Sequence, residues 1–195
     1  SLFGDAVWTY QNQMTMSAFN AALEKALRLR LREELGGVYS VSVRARLSRW
    51  PYENYSINVS FTCDPQRVDE LYDEVNAIFA SFVDGIIDEQ AIDNFKTQAK
   101  TSREKNLKEN GFWLNYILNH YTPFMPLPID DYNALVDSVT LASVKEAAKQ
   151  YLVTDNRLYA TLKPQPSGSE FGELYNAEFD DANASDAKVK THARK

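Results

Sequence analysis

Arg32, Glu33, Glu34, Leu35, Gly36, Gly37, Val38 and Tyr39 place a guanidinium and a phenol on either side of two adjacent glycines. The apolar spacing upstream puts Arg32 in the last turn of a helix, and Tyr39 opens a segment of period two. Glycine accepts backbone conformations closed to other residues, so the chain can fold back sharply between them. Arg32 and Tyr39 are then free to project to one side and to meet one ligand. A fixed fork of N–H donors beside a phenol suits a peptide carbonyl, or the oxyanion formed when that carbonyl is attacked. The same two residues also read as a helix-end cation near the macrodipole and a packed tyrosine. Residue type alone does not choose between these readings.

The remaining inventory contains no complete catalytic set. His120 and His192 are the two histidines, and neither belongs to a His-x-x-x-His or His-x-x-Glu-His pattern. A zinc site needs three or four convergent N, S or O ligands, so no metal ligands are assigned here. There is no Gly-x-Ser-x-Gly elbow and no P-loop. Glu33-Glu34 and Asp130-Asp131 read as solvated charges at helix ends. His120 follows an apolar helix face and reads as a hydrogen-bonded packing residue. Cys63, the one cysteine, excludes an internal disulfide and falls on the apolar set of a strand, as an inert thiol would.

The elements that must position Arg32 and Tyr39 follow from periodicity. Phe19, Ala22, Leu23, Ala26, Leu27 and Leu31 predict a helix over 17–35, with Glu24, Arg28 and Arg32 along another face. Strands are expected at 39–47 and 55–63, where apolar and polar residues alternate. The alternation puts Tyr39 in the apolar set. The short link between the two segments makes them an antiparallel pair. Asp64 and Pro65 open a helix that closes near Gly85, and a further helix covers 88–108 before Asn110-Gly111. Phe112, Trp113, Tyr116, Ile117 and Tyr121 form an aromatic helix, read as core packing. Helices over 130–136 and 140–151 lead to a last strand, 157–162. Strands bracketing a run of helices imply an α+β fold, an antiparallel sheet with helices packed on one face.

Residues 1–164 carry this pattern, and 165–195 read as a polar tail, extended or partly disordered. Twenty-one Lys and Arg against 27 Asp and Glu leave a net charge of −6, which argues against a nucleic-acid partner. The basic end of the tail, Lys188 to Lys195, is too small a run to overturn that. No apolar run approaches the ~18 residues of a membrane span.

The run from Arg32 to Ser40 after an amphipathic helix resembles the C-terminal, substrate-binding half of the pitrilysin/insulinase-type zinc peptidases, which carry an inverted His-x-x-Glu-His motif. The order of elements from 17 to 164, including Gly111-Phe112-Trp113, is similar to that half. The resemblance implies that Arg32 and Tyr39 hold the substrate backbone, while zinc, its histidines and the general-base glutamate belong to an N-terminal catalytic half. It implies a noncatalytic domain of a zinc metalloendopeptidase, inactive alone, whose partners are that catalytic half and a peptide or unfolded protein. A bacterial periplasm or cell envelope is the expected setting. A strand expected before Leu2-Phe3 is absent, so the chain is expected to be cut from a larger protein and to expose a sheet edge there. Relatives of the fold also serve as noncatalytic subunits or scaffolds in processing and respiratory complexes. Retention of both Arg32 and Tyr39 argues for the peptidase over that alternative.

Overall fold

Helix α1, Tyr10–Arg28, starts where the Thr9 hydroxyl accepts from the Asn12 N–H, and buries Met16, Phe19, Leu23 and Leu27. This geometry comes from a computed structural model, which describes residues 1–121 and 131–163. The helix begins seven residues before the predicted start at Ser17, because Tyr10-Gln-Asn-Gln has no apolar period to announce it. It also ends differently. Leu29–Glu34 is wound as a π-helix, with the Leu35 N–H reaching the Arg30 carbonyl five residues back at 3.1 Å.

Strands β1 (Leu2–Asp5), β2 (Val38–Ser48) and β3 (Asn54–Cys63) form one antiparallel sheet in the order β1-β3-β2. The β2–β3 pair matches the alternation in the sequence over most of its length, with Val43 opposite Val59 and Leu47 opposite Tyr55. Strand β1 is a correction: four residues are too few to show a period. It pairs along β3 with Leu2 opposite Ile57 and Asp5 opposite Asn54.

The predicted strand 157–162 is reduced to one bridge, Leu2 to Arg157. Among the described residues no ladder continues past that bridge. The sheet edge expected to be open at Leu2-Phe3 is occupied: Leu158 exchanges hydrogen bonds with Ser1 at 2.8 and 2.9 Å, and Phe3 donates to Asn156. The opposite edge is tied down as well. The Asn20 side chain on α1 accepts the Ala45 N–H of β2 at 2.7 Å, blocking one outward-facing donor.

The other helices are α2 (Val68–Val83), α3 (Glu89–Asn106), α4 (Asn110–Tyr121), α5 (Tyr132–Ser138) and α6 (Leu141–Leu152). Several starts match their sequence signals. Asp64 accepts from the Gln66 N–H ahead of a short 3₁₀ turn over Pro65–Arg67, and Thr140 and Ser143 cap α6 reciprocally. Helix α1 packs against β2, α6 against β1, and α2 against α6, while α3 and α5 pack on α1. Their apolar faces join Val43, Leu47, Tyr55 and Ile57 in one core. The fold is α+β, with helices over one face of an antiparallel sheet.

Helix α4 departs from its expected role. It buries no residue fully, and Leu114, Ile117, Leu118 and Tyr121 are exposed. Its rings instead gather on a cation: the Arg103 guanidinium lies 4.9 Å from the Phe112 ring and 4.7 Å from those of Tyr116 and Tyr132. Ser1–Tyr159 forms one compact unit, and the second, Ala160–Lys195, lies almost wholly outside the described residues. The predicted tail, His192 and Asp130 fall there or in 122–130, also outside them. Among the described residues no helix is long and apolar enough to cross a membrane.

Candidate functional site

The turn between Arg32 and Tyr39 is built by the widened helix that precedes it. The Gly37 N–H donates to the Leu31 carbonyl at 2.9 Å, one residue wider than the usual helix-closing bond, as a π-wound last turn requires. The two glycines serve different ends. Gly36 sits at φ +56 with open space around it, so its backbone conformation is what excludes a side chain. A Cβ on Gly37 would lie 2.7 Å from Leu71 Cδ2 and 3.2 Å from an Arg67 terminal nitrogen, so here space is what excludes it.

Helix α2 holds this turn from below with paired charges. Arg30 places Nε and Nη2 on the two Glu74 oxygens at 2.7 and 3.0 Å, and Nη1 on Glu34 at 2.9 Å. Arg67 grips Glu70 in the same two-pronged way and reaches the Leu35 carbonyl at 3.4 Å. These hydrogen-bonded guanidiniums hold the Glu74 and Glu70 carboxyls below the usual carboxylate range. Sequence reading missed all four residues. The i,i+4 spacing of Arg30 and Glu34 and the i,i+3 spacing of Arg67 and Glu70 were the local signals available.

Arg32 is left outside that lattice. Its guanidinium is about half exposed, and its one acidic neighbour among the described residues is Glu33, at 3.9 Å. Tyr39 is 88% exposed, although strict alternation places it inward. The reason is a β-bulge. Val38 faces Cys63 and Val41 faces Phe61, so Tyr39 and Ser40 together stand against Thr62 alone. The extra residue shifts the phase, Val38 takes the buried position, and Tyr39 turns to solvent. The seven-residue interval thus ends in two exposed polar tips flanking one closed turn.

The other sequence candidates lie elsewhere. His120 is partly buried, with Nδ1 2.6 Å from the Tyr116 carbonyl and its ring against those of Tyr10 and Tyr116. Cys63 ends β3 against the core, and burial is the main cause that raises its thiol pKa, with Asp64 adding to it. Glu33 and Glu34 face different arginines rather than each other. Among the described residues no group of three His, Cys, Asp or Glu side chains is placed to hold a metal ion. The donors among the described residues do not fit a resident zinc.

Residues 1–99, which include the whole turn, match the family described as "Peptidase M16 inactive domain". The chain belongs to that family. It is an inactive-type domain of the M16 zinc peptidases, the group its sequence resembles. The curated protein "Probable zinc protease PqqL" of Escherichia coli (strain K12) is 32% identical over 142 residues, 72% of this chain. That of Haemophilus influenzae is 25% identical over 167 residues, 83% of this chain. The chain spans 15% and 18% of the length of these two relatives. Among solved structures, the periplasmic protease PqqL from E. coli superposes with TM-score 0.68 at 28% identity, over 77% of this chain and 17% of that one. A peptidase M16 inactive domain from Pseudomonas fluorescens shares the fold at TM-score 0.62 and 17% identity, over 73% of this chain and 35% of its own.

Proposed function

We propose that this M16 domain is the substrate-orienting wall of a zinc endopeptidase, with Arg32 and Tyr39 as the groups that hold the peptide backbone. The observation that carries the reading is the exposure of both side chains at the two ends of one tightly braced glycine turn. Arg30, of the same type two residues away, is consumed by Glu74 and Glu34, whereas Arg32 keeps its donors for a ligand. Arg32 would donate to a substrate carbonyl and Tyr39 would place its hydroxyl on the same peptide unit. A carbonyl held this way presents one face for attack and meets fixed donors as negative charge grows on its oxygen. Zinc and the water it activates belong to a separate catalytic half, in keeping with the small share of its relatives that this chain spans. The periplasmic description of the E. coli protease supports a cell-envelope setting for this one.

Arg32→Ala and Tyr39→Phe in the full-length polypeptide test the reading. Removing a charged hydrogen bond forfeits about 1.5–3 kcal/mol. If that bond tightens in the transition state, Arg32→Ala lowers kcat/KM by roughly tenfold to a hundredfold. Tyr39→Phe keeps the ring and removes only the hydroxyl, so a loss there is one of hydrogen bonding rather than packing. Zinc content and thermal unfolding are expected to match the parent protein. Unchanged kinetics in both variants would refute the assignment.

A further inference from the structure

We propose that the helix-free face of the sheet is a binding strip for acidic, extended peptide segments, read by Arg44 and Arg46; this rests on, and extends, the substrate-orienting role given to Tyr39.

Four observations carry it. First, Arg44 and Arg46 are exposed on β2 while Val43 and Leu47 point into the core, so both arginines stand on the face away from the helices. Second, no carboxylate answers them. Among the described residues neither takes part in an ion pair, and the one side-chain contact is Arg46 Nε to the Ser56 hydroxyl at 3.4 Å. Third, neither β2 nor β3 contains an Asp or Glu, in a chain that has 27 of them. The residues opposite are neutral and polar: Ser60 faces Ser42, Asn58 faces Arg44, and Ser56 faces Arg46. Fourth, Tyr39 and Ser40, turned outward by the bulge, stand at one end of the same strand.

Spacing selects the ligand. Residues two apart on a strand lie about 6.8 Å from each other on one face, and an extended peptide repeats its side chains at that same interval. A peptide laid along β2 with acids at alternate positions sets one carboxylate against each arginine. Counted from Tyr39, those acids fall about five and seven positions from the bond held at the turn. Apart from the Arg46 Nε contact to Ser56, the side-chain donors of both guanidiniums have no protein partner among the described residues and can meet carboxylate oxygens. A nucleic acid would meet the same charges, but the −6 net charge of the chain opposes a long polyanion far more than a short acidic segment.

The test uses two 16-residue peptides identical except for Glu or Gln at three alternate positions on one side of a common cleaved bond. With the full-length protein at low salt, the Glu peptide is expected to show the higher kcat/KM, through KM. Exposed charge contacts of this kind are individually weak, so Arg44→Gln/Arg46→Gln should shrink the advantage by roughly twofold to thirtyfold and leave the Gln peptide unchanged. Raising the salt to about 0.5 M should do the same to the parent protein. A readout independent of turnover is the NMR signal of the arginine side-chain N–H groups in the 195-residue chain. The Glu peptide should move those of Arg44 and Arg46, and the Gln peptide should not.

Equal kinetics for the two peptides, or a preference that survives the double substitution, overturns the inference. So does equal perturbation by a single-stranded oligonucleotide of matching charge, or self-association of the chain that the double variant abolishes. Arg32→Ala and Tyr39→Phe should slow both peptides alike, which separates the two proposals. If those variants have no effect while the Glu preference stands, the turn assignment fails and the strip remains. If they slow both peptides and no preference exists, the reverse holds.

Discussion

Gly36 and Gly37 are neighbours of one type, yet each would fail differently if replaced. Alanine at 36 meets no atom but must adopt a positive φ, which disfavours an L-residue by about 1–2 kcal/mol. Alanine at 37 meets Leu71, itself fully buried, so either the leucine or the strand entry must move. Both variants are expected to lower stability in urea unfolding, Gly36→Ala by about 1–2 kcal/mol. They should differ in rescue. Asn at 36 tolerates the left-handed region and should recover part of the loss, whereas Asn at 37 should not. Equal rescue at both positions would contradict the division between backbone conformation and space. For Arg32 and Tyr39 the consequence is direct, because a shift in either glycine changes the separation of the two tips.

At the scale of elements, the π-wound end of α1 is fastened to α2 by the Arg30–Glu74 fork. Glu74 is held below its ordinary titration range by that hydrogen-bonded arginine. A carboxylate whose native pKa lies below its unfolded value adds stability that is fully present above the unfolded pKa, about 4.3. That contribution fades as pH falls through the lowered native value. Melting temperature followed downward from about pH 6 should therefore drop less steeply in Glu74→Gln than in the parent. Parallel curves would show that the fork adds nothing to the anchoring of the turn. Little of this bracing was legible in the sequence. Local signals did announce α2, since Asp64 and Pro65 act on the residues next to them, and the range 140–151 matches α6 closely. The β2–β3 pair was equally plain, since alternation in both segments and the short link between them mark an antiparallel hairpin. What escaped depended on partners far along the chain. The outward turn of Tyr39 needs the count of residues on β3, and Arg30 meets a Glu74 that lies 44 positions further along the chain. The aromatic residues of α4 were read as core for the same reason: periodicity marks a sticky face, and only the folded chain shows that Arg103 is what it sticks to.

At the scale of the whole molecule, the proposed division of labour between this domain and a catalytic half can be tested without any substitution. The relatives devote only 15% and 18% of their length to the matching region. Within the described residues no three His, Cys, Asp or Glu side chains converge on one point. His120 is pinned by the Tyr116 carbonyl and two rings, and burial raises the thiol pKa of Cys63 at the end of β3. Stable zinc binding needs three or more ligands at about 2.0–2.3 Å from one point, already deprotonated and oriented. Two such side chains on separate elements do not supply that. The purified 195-residue chain is therefore expected to retain well under one zinc per molecule after dialysis against metal-free buffer, by elemental analysis. It is also expected to leave an unstructured fluorogenic peptide intact, with or without added zinc. One zinc retained per chain, together with peptide cleavage abolished by a chelator, would place the metal in this segment and overturn the division. Restoring activity by adding a separately purified catalytic half would support it, since the chain would then contribute orientation to chemistry held by its partner.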